Sequence, residues 1–380
     1  FKAASHALKT YDFEKSDIPQ LIETLKANFP DDAKKFYNTR FKLYSCLYDL
    51  MDSVQKIEFI KNNYATMPDS GDTRMDALRE LANIQSKESI DLWKELIIAT
   101  ASKSENKFSL YRASGSMVYD SLPLIRSLYP DLAKLIDNPN FKQVYYTISA
   151  NALNHKLITT DAYSSLRDKI FTDARAEYKR MNEHRPGQDD YYSPSFSDAL
   201  YMLNLLPVSE PVLQLNKEVI ADTVTYNKLN SILYLVKNNV AINKKELKKF
   251  LSIPSNLNAY YDSLKNINRL DVFPSGKRKQ KFLAEGDMYA SLYDDDEAPT
   301  KLQLIDTKEI VYNGQLQRFF IYRIYFEADY SYFGMAGPYP LSDKELVTHG
   351  TITGMSYDEF ASKTLDEHVK KFLEDAAAVK

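Results

Sequence analysis

The side chains in this sequence best suited to metal binding or nucleophilic chemistry are five histidines and one cysteine. The histidines are His6, His155, His184, His349 and His368. No two of them are spaced to share one turn of a helix, and the His-Glu-x-x-His zinc motif does not occur. Cys46 stands alone in an apolar stretch, which excludes an intrachain disulfide and a cysteine-based metal site. We therefore expect neither a metal nor another cofactor.

Motifs for catalysis are equally scarce. The chain has no Gly-x-x-x-x-Gly-Lys phosphate loop and no Gly-x-Ser-x-Gly nucleophile elbow. The segment 114–116 (Ser-Gly-Ser) is best interpreted as a helix interruption, and His184 near Asp189 and Asp190 as part of a solvated loop. A triad assembled from distant residues stays open at this level. The sequence thus predicts a protein that is not an enzyme.

The charge balance argues against nucleic acid as the partner. The 380 residues carry a net charge of −3, so no general attraction to polyanions is expected. The basic run 277–281 is weak evidence for nucleic-acid binding in a net-acidic chain. The acidic run 294–297 lacks the alternating ligands and the glycine of a calcium loop, and we interpret it as a solvated linker.

Two features of the chain bear on where it works. No apolar run approaches the roughly 20 residues that span a bilayer, so no transmembrane segment is expected. The sequence begins at Phe1 with no charged-then-apolar leader. We expect the chain to be a processed product or an excerpt of a longer protein.

A pattern that occurs twice predicts the architecture of the front of the chain. In 39–61 and again in 73–94, Thr-Arg is followed by apolar residues at helical spacing, a serine, and a second apolar stretch ending in lysine. A recurrence of about 34 residues is typical of stacked helical hairpins. We therefore expect a HEAT- or TPR-like α-solenoid, with an irregular helical bundle as the alternative.

Apolar residues at a period of 3.6 extend this helical prediction over two thirds of the chain. We expect helices at 17–28, 33–50, 53–65, 73–84, 87–101, 108–128, 131–137, 141–153, 160–181, 196–206, 209–221, 224–237, 244–251 and 256–267. Asn243 is the predicted N-cap of the helix that starts at Lys244. The domains that follow are a helical-repeat domain at 1–181, an exposed loop at 182–195 and a continued helical region at 196–272.

From about residue 300 the period changes from 3.6 to 2, which predicts a small α+β domain at 273–380. Strands are expected at 301–305, 309–312, 316–326 and 348–353. Asn313-Gly314 separates two of them and is the strongest short-range hairpin signal. We interpret Gly334 to Pro340 as a mobile loop and 356–376 as a terminal helix packed on an antiparallel sheet. His349 is expected at the surface beside that sheet.

Strand 316–326 carries large apolar groups on both faces. Phe320, Tyr322, Ile324 and Phe326 share one face, and Phe319, Ile321 and Tyr325 share the other. A sheet covered on one side only should leave one face polar. The second face is therefore either buried against the helical region or exposed to a partner. The residues of that possible partner surface are Phe319, Ile321, Tyr325, Tyr332, Phe333 and Tyr339.

Four segments carry a resemblance to a known family. They are 29–32 (Phe-Pro-Asp-Asp), 64–70 (Tyr-Ala-Thr-Met-Pro-Asp-Ser), 119–132 and 269–274. In these four segments the chain resembles the C-terminal helical region of long bacterial proteins that carry an N-terminal TraB/GumN domain. That domain is a metal-dependent peptidase with paired Gly-x-x-His motifs. No Gly-x-x-His occurs here, so no catalytic residue carries over.

The residues and the resemblance lead to two functional hypotheses. The first is a non-catalytic helical-repeat scaffold that binds a protein or peptide and uses the C-terminal sheet as a second contact module. The alternative is the accessory, substrate-positioning region of a TraB/GumN-like hydrolase whose active domain lies upstream. The resemblance also implies an extracytoplasmic location, periplasmic or envelope-associated and in a membrane-associated complex, while a cytoplasmic location stays open.

Overall fold

The structure is a computed structural model that describes eleven ranges of the chain. These ranges are 13–26, 33–67, 73–102, 139–156, 158–161, 166–183, 194–222, 227–292, 299–326, 331–359 and 363–378. The described residues are mostly helical and include a four-stranded antiparallel sheet near the C-terminal end, which confirms the fold class at that level. The chain divides into two units, 1–207 and 208–380. The helices between 210 and 266, grouped by sequence with the helical region, lie in the same unit as the sheet.

The first unit contains helices alone within its described ranges. They are α1 (Ile18–Lys26), α2 (Ala33–Leu50), α3 (Ser53–Asn63), α4 (Thr73–Ile84), α5 (Lys87–Ser102), α6 (Pro139–Asn154), α7 (Arg167–Glu183) and α8 (Pro194–Leu205). Helices α2 and α4 have the predicted bounds. The predicted helices 108–128 and 131–137, and residues 184–193 of the predicted loop 182–195, lie outside the described residues.

Two pairs of the apolar positions that recur in the sequence are fully buried. They are Leu47 of α2 with Leu81 of α4, and Ile60 of α3 with Trp93 of α5. The repeat itself and its stacking into a solenoid stay predictions.

The second unit combines helices with the sheet. Its elements are α9 (Glu210–Ala221), α10 (Lys228–Lys237), α11 (Lys244–Phe250), α12 (Pro254–Asn266), α13 (Gln280–Ser291), β1 (Lys301–Tyr312), β2 (Gln315–Tyr325), β3 (Ser331–Tyr339), β4 (Ile352–Glu359) and α14 (Leu365–Ala378). The strands follow one another in the order β1-β2-β3-β4, and every neighbouring pair is antiparallel. The Asn243 side chain accepts the Lys245 amide hydrogen at 2.9 Å, which confirms the predicted cap of α11.

The predicted hairpin is present at the predicted turn. Asn313 and Gly314 both have positive φ, at 52° and 78°, and join β1 to β2. The two strands expected at 301–305 and 309–312 are one strand, β1, with a register shift between Leu304 and Asp306. A bulge of this kind accommodates an extra residue without ending the strand, so the polar interruption in the sequence does not break the ladder.

Three predictions for the end of the chain are wrong. The segment from Gly334 to Pro340 is almost entirely strand β3, because its small residues allow close packing: a Cβ on Gly334 would lie 2.5 Å from the Ile324 Cδ1. The last strand runs over 352–359 and not 348–353, so no helix begins at 356. The terminal helix begins at Leu365, where Thr364 and Glu367 cap it reciprocally through backbone amides.

Candidate functional site

Each face of the sheet is covered by a helix. Phe320, Tyr322 and Ile324 form a cluster with Ala284 and Met288 of α13. On the opposite face, Phe319, Ile321, Phe333 and Met335 cluster with Val369 of α14. The division of strand β2 into two apolar faces is as the sequence predicts. Because both faces are buried, the apolar residues of β2 form the core of a three-layer helix–sheet–helix arrangement.

The six residues of the possible partner surface are placed mainly in that core. Phe319, Ile321, Phe333 and Tyr339 are at most 1% exposed, so a partner cannot reach them without unfolding the unit. Tyr325 and Tyr332 are half-buried: the Tyr325 hydroxyl donates to Gln303 Oε1 at 2.8 Å, and the Tyr332 ring packs on Phe326. The structure therefore removes those four from the partner surface. The physical reason is that α14 covers Phe319, Ile321 and Phe333, while Tyr339 packs on the other face in the cluster with α13.

The two histidines of the second unit have separate surroundings. His368 is buried in α14 and stacks on the Phe333 ring with centroids 4.7 Å apart, so it belongs to the core. His349 is on the surface as predicted, with 69% of its side chain exposed. His155 is exposed in the first unit. His6 and His184 lie outside the described residues, as do the segments 114–116 and 294–297.

A buried carboxylate gathers four hydrogen-bonding groups beside the sheet. Asp287 of α13 is 6% exposed. Its Oδ2 accepts hydrogen bonds from the Tyr339 hydroxyl at 2.5 Å, the Gly350 amide at 2.7 Å and the Thr353 hydroxyl at 3.0 Å. Its Oδ1 lies 3.2 Å from His349 Nδ1. Burial and the Asp287 charge both raise the pKa of the Tyr339 hydroxyl far above its usual range, so this hydroxyl stays a donor.

Other buried polar groups fix the same connection between β3 and β4. The Asn258 amide donates to the carbonyls of Leu283 and Thr348 at 2.8 Å each. The Gln280 side chain donates to the Val347 carbonyl at 2.6 Å and accepts the Val347 amide hydrogen at 2.9 Å. Because these contacts satisfy backbone groups, the cluster around Asp287 positions the chain, and we interpret it as structural.

A groove that the sequence did not predict lies beside helix α11. Its volume is about 410 Å³, and its lining is Lys244, Leu247, Lys248, Leu251, Ser252, Pro274 and Lys277. The four residues that α11 and its C-terminal end contribute are spaced i, i+3, i+4 and i+7, so they lie on one helical face. We call its apolar lining residues, Leu247, Leu251 and Pro274, the floor and its three lysines the edges. We call this feature the lysine-rimmed groove.

The surroundings of the lysine-rimmed groove are strongly basic. Between residues 244 and 281 the chain has ten lysines and arginines against three acidic residues, a local charge of +7 within a chain of net charge −3. In the described ranges, none of the three groove lysines is in an ion pair. Lys277 Nζ lies 4.3 Å from the centre of the Phe282 ring, which is a cation–π distance. Three lysines without an ion-pair partner, next to an apolar floor, are chemically suited to an anionic, partly apolar ligand.

Burial also affects one carboxyl group near the groove. Glu285 of α13 is half-buried, and burial raises its pKa, while the charges of Lys277 and Lys281 lower it. The net direction is upward, so desolvation outweighs the two lysines.

A sequence signal for the groove does exist. Lys244, Leu247, Lys248 and Leu251 form a basic and apolar helical face that periodicity alone identifies. The opposite wall at Pro274 and Lys277 comes from a segment more than 20 residues away, and only the fold brings it to this face. Basic residues at 277–281 were noted in the sequence, but without the facing wall they indicated no site.

Neither a metal-binding cluster nor a membrane-spanning helix is found in the described part of the chain. Within it, no group of three or more histidine, cysteine, aspartate or glutamate side chains could hold a metal ion. Among the helices of the same ranges, none is long and apolar enough to cross a membrane. Comparison with protein families, curated proteins and solved structures finds no match to this chain. The resemblance to TraB/GumN-associated proteins accordingly stays a prediction.

Proposed function

We propose that this protein is a non-catalytic binding protein whose second unit takes up an acidic segment of a partner protein in the lysine-rimmed groove. The observation that carries the proposal is the groove itself, which is lined by Leu247, Leu251 and Pro274 together with lysines from both lining segments. In this proposal the helices of the first unit form a HEAT- or TPR-like stack that serves as the scaffold.

Charge complementarity predicts that the bound segment of the partner is negatively charged. No groove lysine lies within ion-pair distance of a carboxylate in the described ranges, and the stretch 244–281 carries +7. A carboxylate placed at such a rim exchanges some hydration for an ion pair worth about 0.2–1 kcal/mol in an exposed setting. Several such pairs steer association and select partners by charge.

The apolar floor distinguishes a peptide from a simple polyanion. Nucleic acid and phosphate chains have no apolar side chains to place against Leu247 and Leu251. Burial of apolar surface contributes about 25 cal/mol per Å², so an aliphatic anchor adds affinity that an all-polar ligand lacks. A peptide that combines acidic and leucine-like residues satisfies both parts of the site.

Fluorescence anisotropy with two labelled peptides of about 15 residues tests this proposal. The acidic probe has leucines at helical spacing flanked by glutamates, and the lysine probe has lysine in place of every glutamate. The acidic probe should bind and the lysine probe should not. Binding should weaken as salt shortens the Debye length from about 10 Å at 0.1 M to about 3 Å at 1 M.

Charge reversal on α11 provides a matched pair of variants. Lys248→Glu alters the groove, whereas Lys245→Glu makes the same change at an exposed neighbour that does not line it. The first variant should weaken the acidic probe much more than the second. Equal effects, or tighter binding of single-stranded DNA or anionic vesicles than of the acidic probe, would contradict the proposal.

A further inference from the structure

We infer that the occupant of the lysine-rimmed groove binds as an amphipathic helix with carboxylates on both sides of its apolar stripe, and that Phe282 positions the lysine that meets one of those sides. This inference rests on the proposed function and specifies the shape of the ligand and the residue that determines its specificity.

The two walls of the groove define the directions in which the ligand must present side chains. Lys244 and Lys248 belong to α11, and Lys277 belongs to the separate segment that includes Pro274. Leu247 and Leu251 belong to the α11 wall, and Pro274 belongs to the other wall. A ligand that uses the whole site must therefore place apolar groups against these residues and carboxylates toward the lysines of both walls.

A helix meets this requirement and a strand does not. Successive side chains of a strand point to opposite faces, so when alternate residues enter the groove the others point away from it. A helix projects side chains all around its axis, and an apolar stripe has flanking positions on both sides. The spacing also agrees, because Lys244 and Lys248 are one turn apart on α11 and can pair with acidic residues one turn apart on a neighbouring helix.

Phe282 restrains one of the three lysines. Lys277 Nζ lies 4.3 Å from the centre of the Phe282 ring, and Lys281 Nζ lies 5.1 Å from the same centre. Lys277 is half-buried, whereas Lys244 and Lys248 are exposed. A lysine whose side chain is already restrained loses less conformational entropy when it forms an ion pair. Phe282 is therefore a positioning residue for Lys277, and Lys277 is the fixed cation of the site.

Three peptides of equal composition test the shape of the ligand by anisotropy. The first has glutamates on both flanks of a helical leucine stripe, and the second has the same glutamates on one flank. The third has leucine and glutamate in strict alternation, which favours an extended strand. The two-flank helix should bind about threefold tighter than the one-flank helix, as expected for one additional exposed ion pair. It should bind tighter still than the alternating peptide.

A double-mutant cycle tests the role of Phe282. Lys277→Met should weaken the two-flank helix about threefold and remove its advantage over the one-flank helix. Phe282→Leu keeps an apolar side chain of similar size and should weaken the same peptide about twofold to threefold. In the Lys277→Met background it should have no further effect. An equal effect of Phe282→Leu with and without Lys277 would overturn the positioning role.

The outcomes separate this inference from the function on which it rests. If the alternating peptide binds as tightly as the two-flank helix, the groove takes an acidic peptide but not as a helix, and the inference fails while the proposed function stands. If no acidic peptide binds, both fail. Circular dichroism of the bound two-flank peptide should show a gain of helix, and its absence would also overturn the inference.

Discussion

The carboxylate of Asp287 on α13 accepts a hydrogen bond from the buried hydroxyl of Tyr339 on β3 at 2.5 Å. This contact joins the helix to the sheet. The same carboxylate oxygen also accepts hydrogen bonds from the Gly350 amide and the Thr353 hydroxyl, which follow Tyr339 in the chain. The second unit, which contains the lysine-rimmed groove, thus contains a charged group in its interior that is satisfied by several donors.

Asp287→Asn should destabilise the second unit by about 2–4 kcal/mol, because the amide can replace only part of the acceptor capacity and leaves buried donors poorly paired. Hydrogen exchange measured by mass spectrometry should show faster exchange in 340–353. Asp366→Asn is the matched control, since Asp366 pairs with Lys308 at the surface with 83% of its side chain exposed. Equal protection in both variants would contradict the role assigned to Asp287.

The cover that α14 provides over the second face of the sheet gives another prediction. Val369 is 7% exposed and packs with Phe319, Ile321 and Phe333. Val369→Asp places an unpaired charge there and should lower stability by several kcal/mol and increase binding of an apolar dye. Val311→Asp, at a strand position 69% exposed, should leave both nearly unchanged. If Val369→Asp changed neither the stability nor the dye binding, α14 would not cover this face.

The contact between α12 and α13 depends on a glycine. A Cβ on Gly286 would lie 2.6 Å from the Pro254 carbonyl oxygen and 2.3 Å from Asn258 Oδ1. Gly286→Ala should therefore separate the two helices and cost about 1–3 kcal/mol, despite the better helix propensity of alanine. Gly276→Ala, where a Cβ meets open space, is the control. Chemical denaturation followed by tyrosine circular dichroism distinguishes the two, and equal midpoints would refute the close approach.

Burial of Tyr260 in α12 predicts a loss of stability at high pH. Burial raises its pKa from 10.0 to about 12. Between these values the unfolded chain loses the phenol proton and the folded chain keeps it, so stability falls as pH rises through this window. Tyr260→Phe should reduce the slope of the denaturation midpoint against pH between 10 and 12. The same slope in both proteins would contradict the assignment.

Helix bounds and turns that depend on residues adjacent in the chain could be predicted from the sequence. Packing that depends on residues far apart in the chain could not. The bounds of α2 and α4 follow from apolar period, and the turn at Asn313-Gly314 follows from two residues that tolerate positive φ. Strand β3 was missed because its glycines and proline are typical of loops, whereas here Gly334 allows Ile324 to pack closely.

The candidate site shows the same limit. The face of Lys244, Leu247, Lys248 and Leu251 is visible in the sequence, but its meaning depends on Lys277 of a separate segment. Four of the six residues expected to form a partner surface are in the core, because α14, which begins at Leu365, covers Phe319, Ile321 and Phe333, and Tyr339 packs with α13. The cap formed by Thr364 and Glu367 was the local signal for that start.

A charge swap tests most directly whether an acidic segment binds in the lysine-rimmed groove. The double variant Lys244→Glu and Lys248→Glu reverses the charge of one wall and keeps its leucine floor. Anisotropy is measured with the acidic probe and the lysine probe. The unmodified protein should bind the acidic probe, whereas the double variant should lose that binding and gain affinity for the lysine probe. Unchanged preference for the acidic probe in the double variant would contradict the account.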